Sequence, residues 1–248
     1  MNKVTFELEG REYKIPNKLT IGDYVKIFKV KDLFEDDYFS AKLISIVTGA
    51  EMSKLLEADR DKVGYVFEHI YKILPLDSPG FVDRFELDGV HYGFIPSWKK
   101  MSFGEFADLD TLMTKKPDEL LDYLHIITAI LYRPITSSKS KHKFEIEKYN
   151  QDTLEERAEL FKNKLDIEVA LGAQFFFTQF ARIYSNYTPI SLKMWMKISW
   201  IQLSVVWKMR KWIWRKIVLR KDLDGLSFST EFAKMILQDI QKLLIKQS

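Results

Sequence analysis

Two stretches decide how this chain folds: Val4-Thr-Phe-Glu-Leu-Glu-Gly10-Arg-Glu-Tyr-Lys-Ile15 and Phe85-Glu-Leu-Asp-Gly89-Val-His-Tyr-Gly-Phe-Ile95. In each, apolar and polar residues alternate on both sides of an acidic residue followed by glycine. A period of two puts alternate side chains on one face of a strand. Glycine after an acidic residue suits the positive φ angles of a two-residue turn. Two β-hairpins are expected, turning at Glu9-Gly10 and at Asp88-Gly89.

The two stretches also match each other. Phe6-Glu-Leu-Glu-Gly10 aligns with Phe85-Glu-Leu-Asp-Gly89, Tyr13 with Tyr92, and Ile15-Pro16 with Ile95-Pro96. The match continues as Leu19-Thr-Ile-Gly-Asp-Tyr24 against Met101-Ser-Phe-Gly-Glu-Phe106. This reads as a duplicated unit of hairpin, proline, short loop and capped helix. Thr20 with Asp23, and Ser102 with Glu105, each have the spacing of a capping box, in which a hydroxyl and an acid satisfy free N–H groups at a helix start.

Helices are expected outward from these caps. In the first copy they fall near residues 23–28, 36–47 and 59–74. In the second copy a short helix precedes one over 117–131, with Pro117 at the favoured first position. Residues 134–151 are polar, rich in Ser and Lys, and without clear period, so they read as a loop. Asp152-Thr-Leu-Glu155 reads as a third capping box opening one long helix to about residue 186. Leu160, Phe161, Leu165, Val169, Phe176, Phe180 and Ile183 recur along it at helical spacing. Two further helices are expected over about 191–219 and 229–246. The fold class is α+β and predominantly helical. A duplicated hairpin-plus-helices domain spans 1–135, with copies over about 4–75 and 82–135. A linker follows at 136–151, and a three-helix domain at 152–248.

The chain contains no cysteine, which excludes disulfides, thiol nucleophiles and cysteine metal sites. The first residues are charged throughout and lack an apolar core, so no signal peptide is expected. No run of about 18 uncharged apolar residues occurs, so no membrane span is expected. Residence in the cytosol of the producing cell follows as an expectation.

Signals of catalysis are sparse. His69, His91, His125 and His142 have no metal-ligand spacing, and no glycine-rich phosphate loop is present. His125 falls on an apolar helix face, where a core histidine is the simpler reading. Asp222-Leu-Asp224-Gly225 lacks the rest of a calcium-loop pattern and reads as a turn. Asp36-Asp37 and Glu155-Glu156 sit at helix starts, where negative charge is favourable. The chain is therefore expected to be no enzyme, with no catalytic, cofactor-binding or metal-ligating residue.

Charge is unevenly spread. Residues 191–221 hold nine Lys or Arg and no acid, together with five of the six tryptophans. Net charge is +3 overall and −1 after residue 221, which leaves −5 on residues 1–190. Three readings of the basic stretch stand side by side. It is an amphipathic helix with its rings in the core, since Met194, Ile198, Ile201, Val205, Met209, Trp212 and Ile213 make one stripe. It is a protein–protein anchor, for which Trp and Arg are suited, and its contrast with the acidic remainder would allow self-association. Or it meets nucleic acid or a membrane surface, with lysines and arginines on phosphates. Trp207 and Trp214 fall off the stripe. With Arg210, Lys211 and Arg215 they are the residues expected to touch a partner.

Leu43-Ile-Ser-Ile-Val-Thr-Gly49, followed by Leu55-Leu56, Ala58-Asp59, Val63, Val66 and Phe67, resembles the tail assembly chaperones of tailed bacteriophages. The resemblance covers residues 4–74. The second copy, through Ala129-Ile-Leu-Tyr-Arg-Pro134, departs from it by lacking the Thr-Gly step, and the C-terminal helices have no counterpart in short family members. What the resemblance implies is a non-enzymatic role in the infected cell, shielding apolar helices of the tape-measure protein until the tail tube forms. Its partners would be tape-measure, tail or portal-region proteins. The rival implication is a virion component at the head–tail junction or inside the capsid.

Overall fold

The computed structural model describes residues 4–30, 36–75, 80–97, 101–113, 115, 117–140 and 143–184. Helices dominate and the strands form two small antiparallel sheets, so the fold is α+β and mainly helical. The described residues divide into two compact units. One holds residues 4–19 and 26–74, and the other holds residues 20–25 with those from Pro75 on. This division differs from the expected domain over 1–135, because the second hairpin and its helices group with the helices after residue 153.

In the first unit, β1 (Val4–Leu8) pairs with β2 (Arg11–Ile15). The turn residues Glu9 and Gly10 have φ of 49° and 76°, both positive, as a type I′ turn requires. Helix α1 (Ile21–Val30) follows, its residues 21–25 grouping with the second unit and 26–30 with the first, then α2 (Asp36–Thr48), α3 (Met52–Glu57) and α4 (Arg60–Lys72). The α3 turn is an addition to the helices expected from periodicity. Asp59 caps α4 by accepting from the N–H groups of Asp61 and Lys62. Alternate residues Tyr13 and Ile15 of β2 are buried, as are Leu43 and Ile44 of α2 and Val66, Phe67, Ile70 and Tyr71 of α4. Thr48-Gly49 ends α2 as a helix C-cap, a role that glycine fills in helices of any family. Gly49 has φ +74°, its N–H donates to Ser45 O, and the Thr48 hydroxyl donates to Ile44 O.

In the second unit, β3 (Arg84–Leu87), β4 (Val90–Phe94), β5 (Tyr132–Ser140) and β6 (Lys143–Ile146) form one sheet in that order. The β3–β4 turn repeats the first, with Asp88 at φ 51° and Gly89 at 78°. The likeness extends to side chains. Phe6 stacks on Tyr13 across the first hairpin and Phe85 on Tyr92 across the second, each at 5.4 Å between ring centres. The expected linker at 136–151 is thus largely paired strand. Its Phe144 and Ile146 are half-buried while Lys143 and Glu145 are exposed, a period-two pattern hidden inside a polar stretch. Bulges near Ser137 and Ser140 break the register and obscure the alternation.

Helices α5 (Phe103–Met113), α6 (Pro117–Leu120) and α7 (Leu124–Leu131) lie between β4 and β5. A 3₁₀ turn at Leu121–Tyr123 interrupts the single helix expected over 117–131. The long helix expected from residue 152 is two, α8 (Leu154–Lys164) and α9 (Ile167–Tyr184). Leu165 is extended at the break, and Asp166 bridges to Thr20 while its side chain accepts from the Glu168 N–H. Both Leu165 and Ile167 are buried, so the apolar rhythm runs straight through the interruption. The expected box at its start is also absent: Thr153 makes no capping bond, and Asn150 accepts from the Asp152 N–H instead. Phe161 of α8 meets Phe85 and Tyr92 edge-on at 5.6 and 5.0 Å, which binds the helix to the sheet.

Gly89→Ala should destabilise the protein by about 1 kcal/mol, because a Cβ at positive φ is crowded. Urea unfolding followed by circular dichroism measures this, and a loss under roughly 0.3 kcal/mol would contradict the turn assignment.

Candidate interaction surface

Trp207, Arg210, Lys211, Trp214 and Arg215 lie outside the described residues, as do the whole 191–221 stretch and Asp222-Leu-Asp224-Gly225. The described part carries a second surface, on α5.

The duplicated cap builds it. In the first copy the Thr20 hydroxyl accepts from the Asp23 N–H at 3.1 Å and donates to the Asp23 carboxylate at 2.9 Å. In the second, Ser102 Oγ accepts from the Glu105 N–H at 3.3 Å, and the longer Glu105 side chain reaches back to the Ser102 N–H, closing the full box. The other carboxylate oxygen of Glu105 faces Arg133 Nη2 at 2.5 Å. Both residues are buried, at 1% and 4% exposure. Burial pulls the Arg133 guanidinium below its ordinary range, and Glu105 opposes that shift. Arginine stays charged at neutral pH regardless. Glu105 therefore joins the first turn of α5 to β5.

Further contacts hold the same side of α5. Leu109, one turn after Glu105, is 2% exposed. Asp108 accepts from the Tyr149 hydroxyl and from Gln151 Nε2. The Arg133 guanidinium lies 6.0 Å from the centre of the Tyr149 ring. Beside this group Arg157 of α8 is buried, donating from Nε to Ala129 O at 3.1 Å, with Nη1 3.8 Å from Glu147. Burial lowers its pKa too, with Glu147 opposing and Arg133 reinforcing the shift.

The opposite side of α5 is bare. Phe103 is 86% exposed and Phe106 is 41% exposed, three residues apart and so on one face. Their counterparts in the first copy, Ile21 and Tyr24, are 0% and 1% exposed. The difference has a visible source. The link between α8 and α9 lies along the first cap, where the Ile21 N–H donates to Leu165 O at 3.2 Å and Thr20 bridges to Asp166. The aligned positions Ser102 and Phe103 make no such backbone bridge among the described residues. Sequence alignment paired these positions, but equivalent residues in a repeat carry no information about which copy is covered.

His125 is half-buried on α7, as its apolar surroundings suggested, with Nε2 4.0 Å from Glu159. Burial lowers its pKa most, Lys162 adds to the shift, and Glu159 and Asp122 oppose it. Among the described residues no group of three His, Cys, Asp or Glu side chains could hold a metal, and no helix is long and apolar enough to cross a membrane. No family model matches the chain, and no curated protein or solved structure matches it either.

Arg133→Met should cost about 3 kcal/mol by leaving the Glu105 charge buried alone. Adding Glu105→Gln, which keeps a capping amide, should restore part of that loss; equal losses for single and double variants in urea melts would show the pair is not coupled. A depressed folded-state pKa means that protons bind His125 more tightly in the unfolded chain. Stability is then lost as pH falls through the ordinary imidazole range, near 6.5, towards the lower folded value. His125→Gln should flatten that decline, and identical pH profiles for the two proteins would remove His125 from it.

Proposed function

We propose that this chain is a non-enzymatic assembly protein of a tailed phage, chaperone-like, that binds other phage structural proteins through apolar and aromatic contacts. The observation that carries the binding role is Phe103, 86% exposed on a helix whose far side is fixed by a buried ion pair. A large ring held out on a rigid element loses little conformational freedom when a partner covers it, the condition for an interface anchor. Phe106 widens the same patch. The resemblance of residues 4–74 to tail assembly chaperones supports the more specific reading, with the apolar helices of a tape-measure protein as the client.

A second reading is favoured by one feature. Nine cationic residues with no acid among them over 191–221 suit a structural virion component that contacts DNA or an acidic protein at the head–tail junction or inside the capsid. The two readings differ in where the protein ends up. A chaperone copurifies with the tape-measure protein from infected cells and is missing from finished particles. Many copies per virion by mass spectrometry would reject the chaperone role in favour of the structural one. A DNA-contacting component binds DNA with an affinity that falls steeply with salt.

The double variant Phe103→Ser, Phe106→Ser should change thermal stability by no more than about 0.5 kcal/mol, since both rings are at the surface. It should weaken capture of purified tape-measure protein about tenfold, which corresponds to roughly 1.4 kcal/mol. Undiminished capture by a folded double variant would show that α5 is not the contact face.

A further inference from the structure

The duplication supplies a template for what covers α5. In the first copy, the start of the capped helix is closed by an extended piece of this same chain, Leu165-Asp166, that bridges to Thr20 and accepts a hydrogen bond from the Ile21 N–H. That piece follows Lys162 and Lys164, and its Leu165 and the adjoining Ile167 are buried. In the second copy the aligned start, Ser102-Phe103, keeps its cap and its anchor, but Phe103 and Phe106 stand open. The open face takes a segment of similar chemistry: apolar, next to basic residues.

Charge narrows the occupant further. Residues 103–123 carry six acidic and two basic side chains, a net of −4. Glu105 is engaged inside and Asp108 is shared with Tyr149 and Gln151, but Asp110 and Glu119 are exposed. Residues 191–221 carry +9 with five tryptophans, and within them Met209-Arg-Lys-Trp-Ile-Trp-Arg-Lys-Ile217 alternates basic pairs with large apolar groups. Opposite fields of this size favour encounter, and arginine or lysine over a phenylalanine face adds a cation–π contribution.

We propose that the α5 face of one molecule, centred on Phe103, Phe106 and Asp110, docks residues 191–221 of a second copy of this chain. The two surfaces are different patches, so the contact is heterologous. Repeated from copy to copy, it closes into a ring or runs on as an open chain, as the rotation per contact dictates. The inference rests on the reading of α5 as a contact face and names its partner.

The test uses the full chain. Unlabelled protein with photoreactive benzoylphenylalanine in place of Phe103 is mixed with an equal amount of ¹⁵N-labelled wild type, irradiated and digested. Mass spectrometry should find residue 103 joined to ¹⁵N-labelled peptides from 191–221. Cross-links only between unlabelled peptides would place the contact within one molecule and overturn the proposal. So would cross-links to labelled peptides elsewhere in the chain. Sedimentation velocity should show concentration-dependent association that weakens as salt rises. It should also weaken about tenfold in Phe103→Ser, Phe106→Ser and in Asp110→Lys. A wild type that stays monomeric across the concentration range rejects the idea. Tape-measure capture through α5 without self-association would reject this partner and leave the proposed function standing. Self-association without capture would do the reverse.

Discussion

A carboxylate removed from water needs a positive partner, and Glu105 has one in Arg133 while it also caps a helix. One oxygen closes the cap of α5 on the Ser102 N–H, and the other faces Arg133 on β5. Desolvating two charges offsets much of their attraction, so the pair adds little net stability by itself. What it does is select an orientation. With Glu105 and Leu109 facing the body of the unit, Phe103, two residues before Glu105 and so about 160° round the helix, faces outward, and Phe106 lies at the border of that face, 41% exposed. The exposed aromatic face is a consequence of where the buried charge points.

The chain uses one local design twice and finishes it differently each time. Both hairpins turn through two positive φ values, both stack a phenylalanine on a tyrosine, and both are followed by a hydroxyl-and-acid cap. The first hairpin remains two-stranded, whereas the second gains β5 and β6 and becomes the edge of a four-stranded sheet. The first cap is covered by the α8–α9 link and the second is left open. The two copies thus differ in exposure at equivalent positions. The aromatic cluster of Phe85, Tyr92 and Phe161 shows the stabilising side, since rings meeting edge to face bury area and gain from their quadrupoles.

Where reading along the chain failed, two periods were in conflict. Residues 143–146 alternate in the manner of a strand, but the serines and lysines before them mask the signal, and two bulges shift it out of phase. The α8–α9 break is the opposite case, where the helical rhythm persists through Leu165 and Ile167 although the backbone leaves the helix between them. Apolar side chains report only that they face a core. They do not distinguish a continuous helix from two helices joined by an extended residue that bonds to the start of a distant helix. The box expected at Asp152-Thr-Leu-Glu155 failed because Asn150 competes for the same free N–H groups.

Legible in the residues themselves were the local devices: both two-residue turns, both duplicated caps, and the helices near 36–47 and 59–74. Each depends on residues within a few positions of one another, where sterics and one or two hydrogen bonds settle the outcome. Only the packing of distant elements set the meeting of Arg133 with Glu105, the placement of Leu165-Asp166 over the first cap, and the 86% exposure of Phe103. These contacts join residues tens of positions apart, and their formation depends on how whole elements pack. Burial of a given ring is therefore a property of its neighbours in space, which no local pattern encodes.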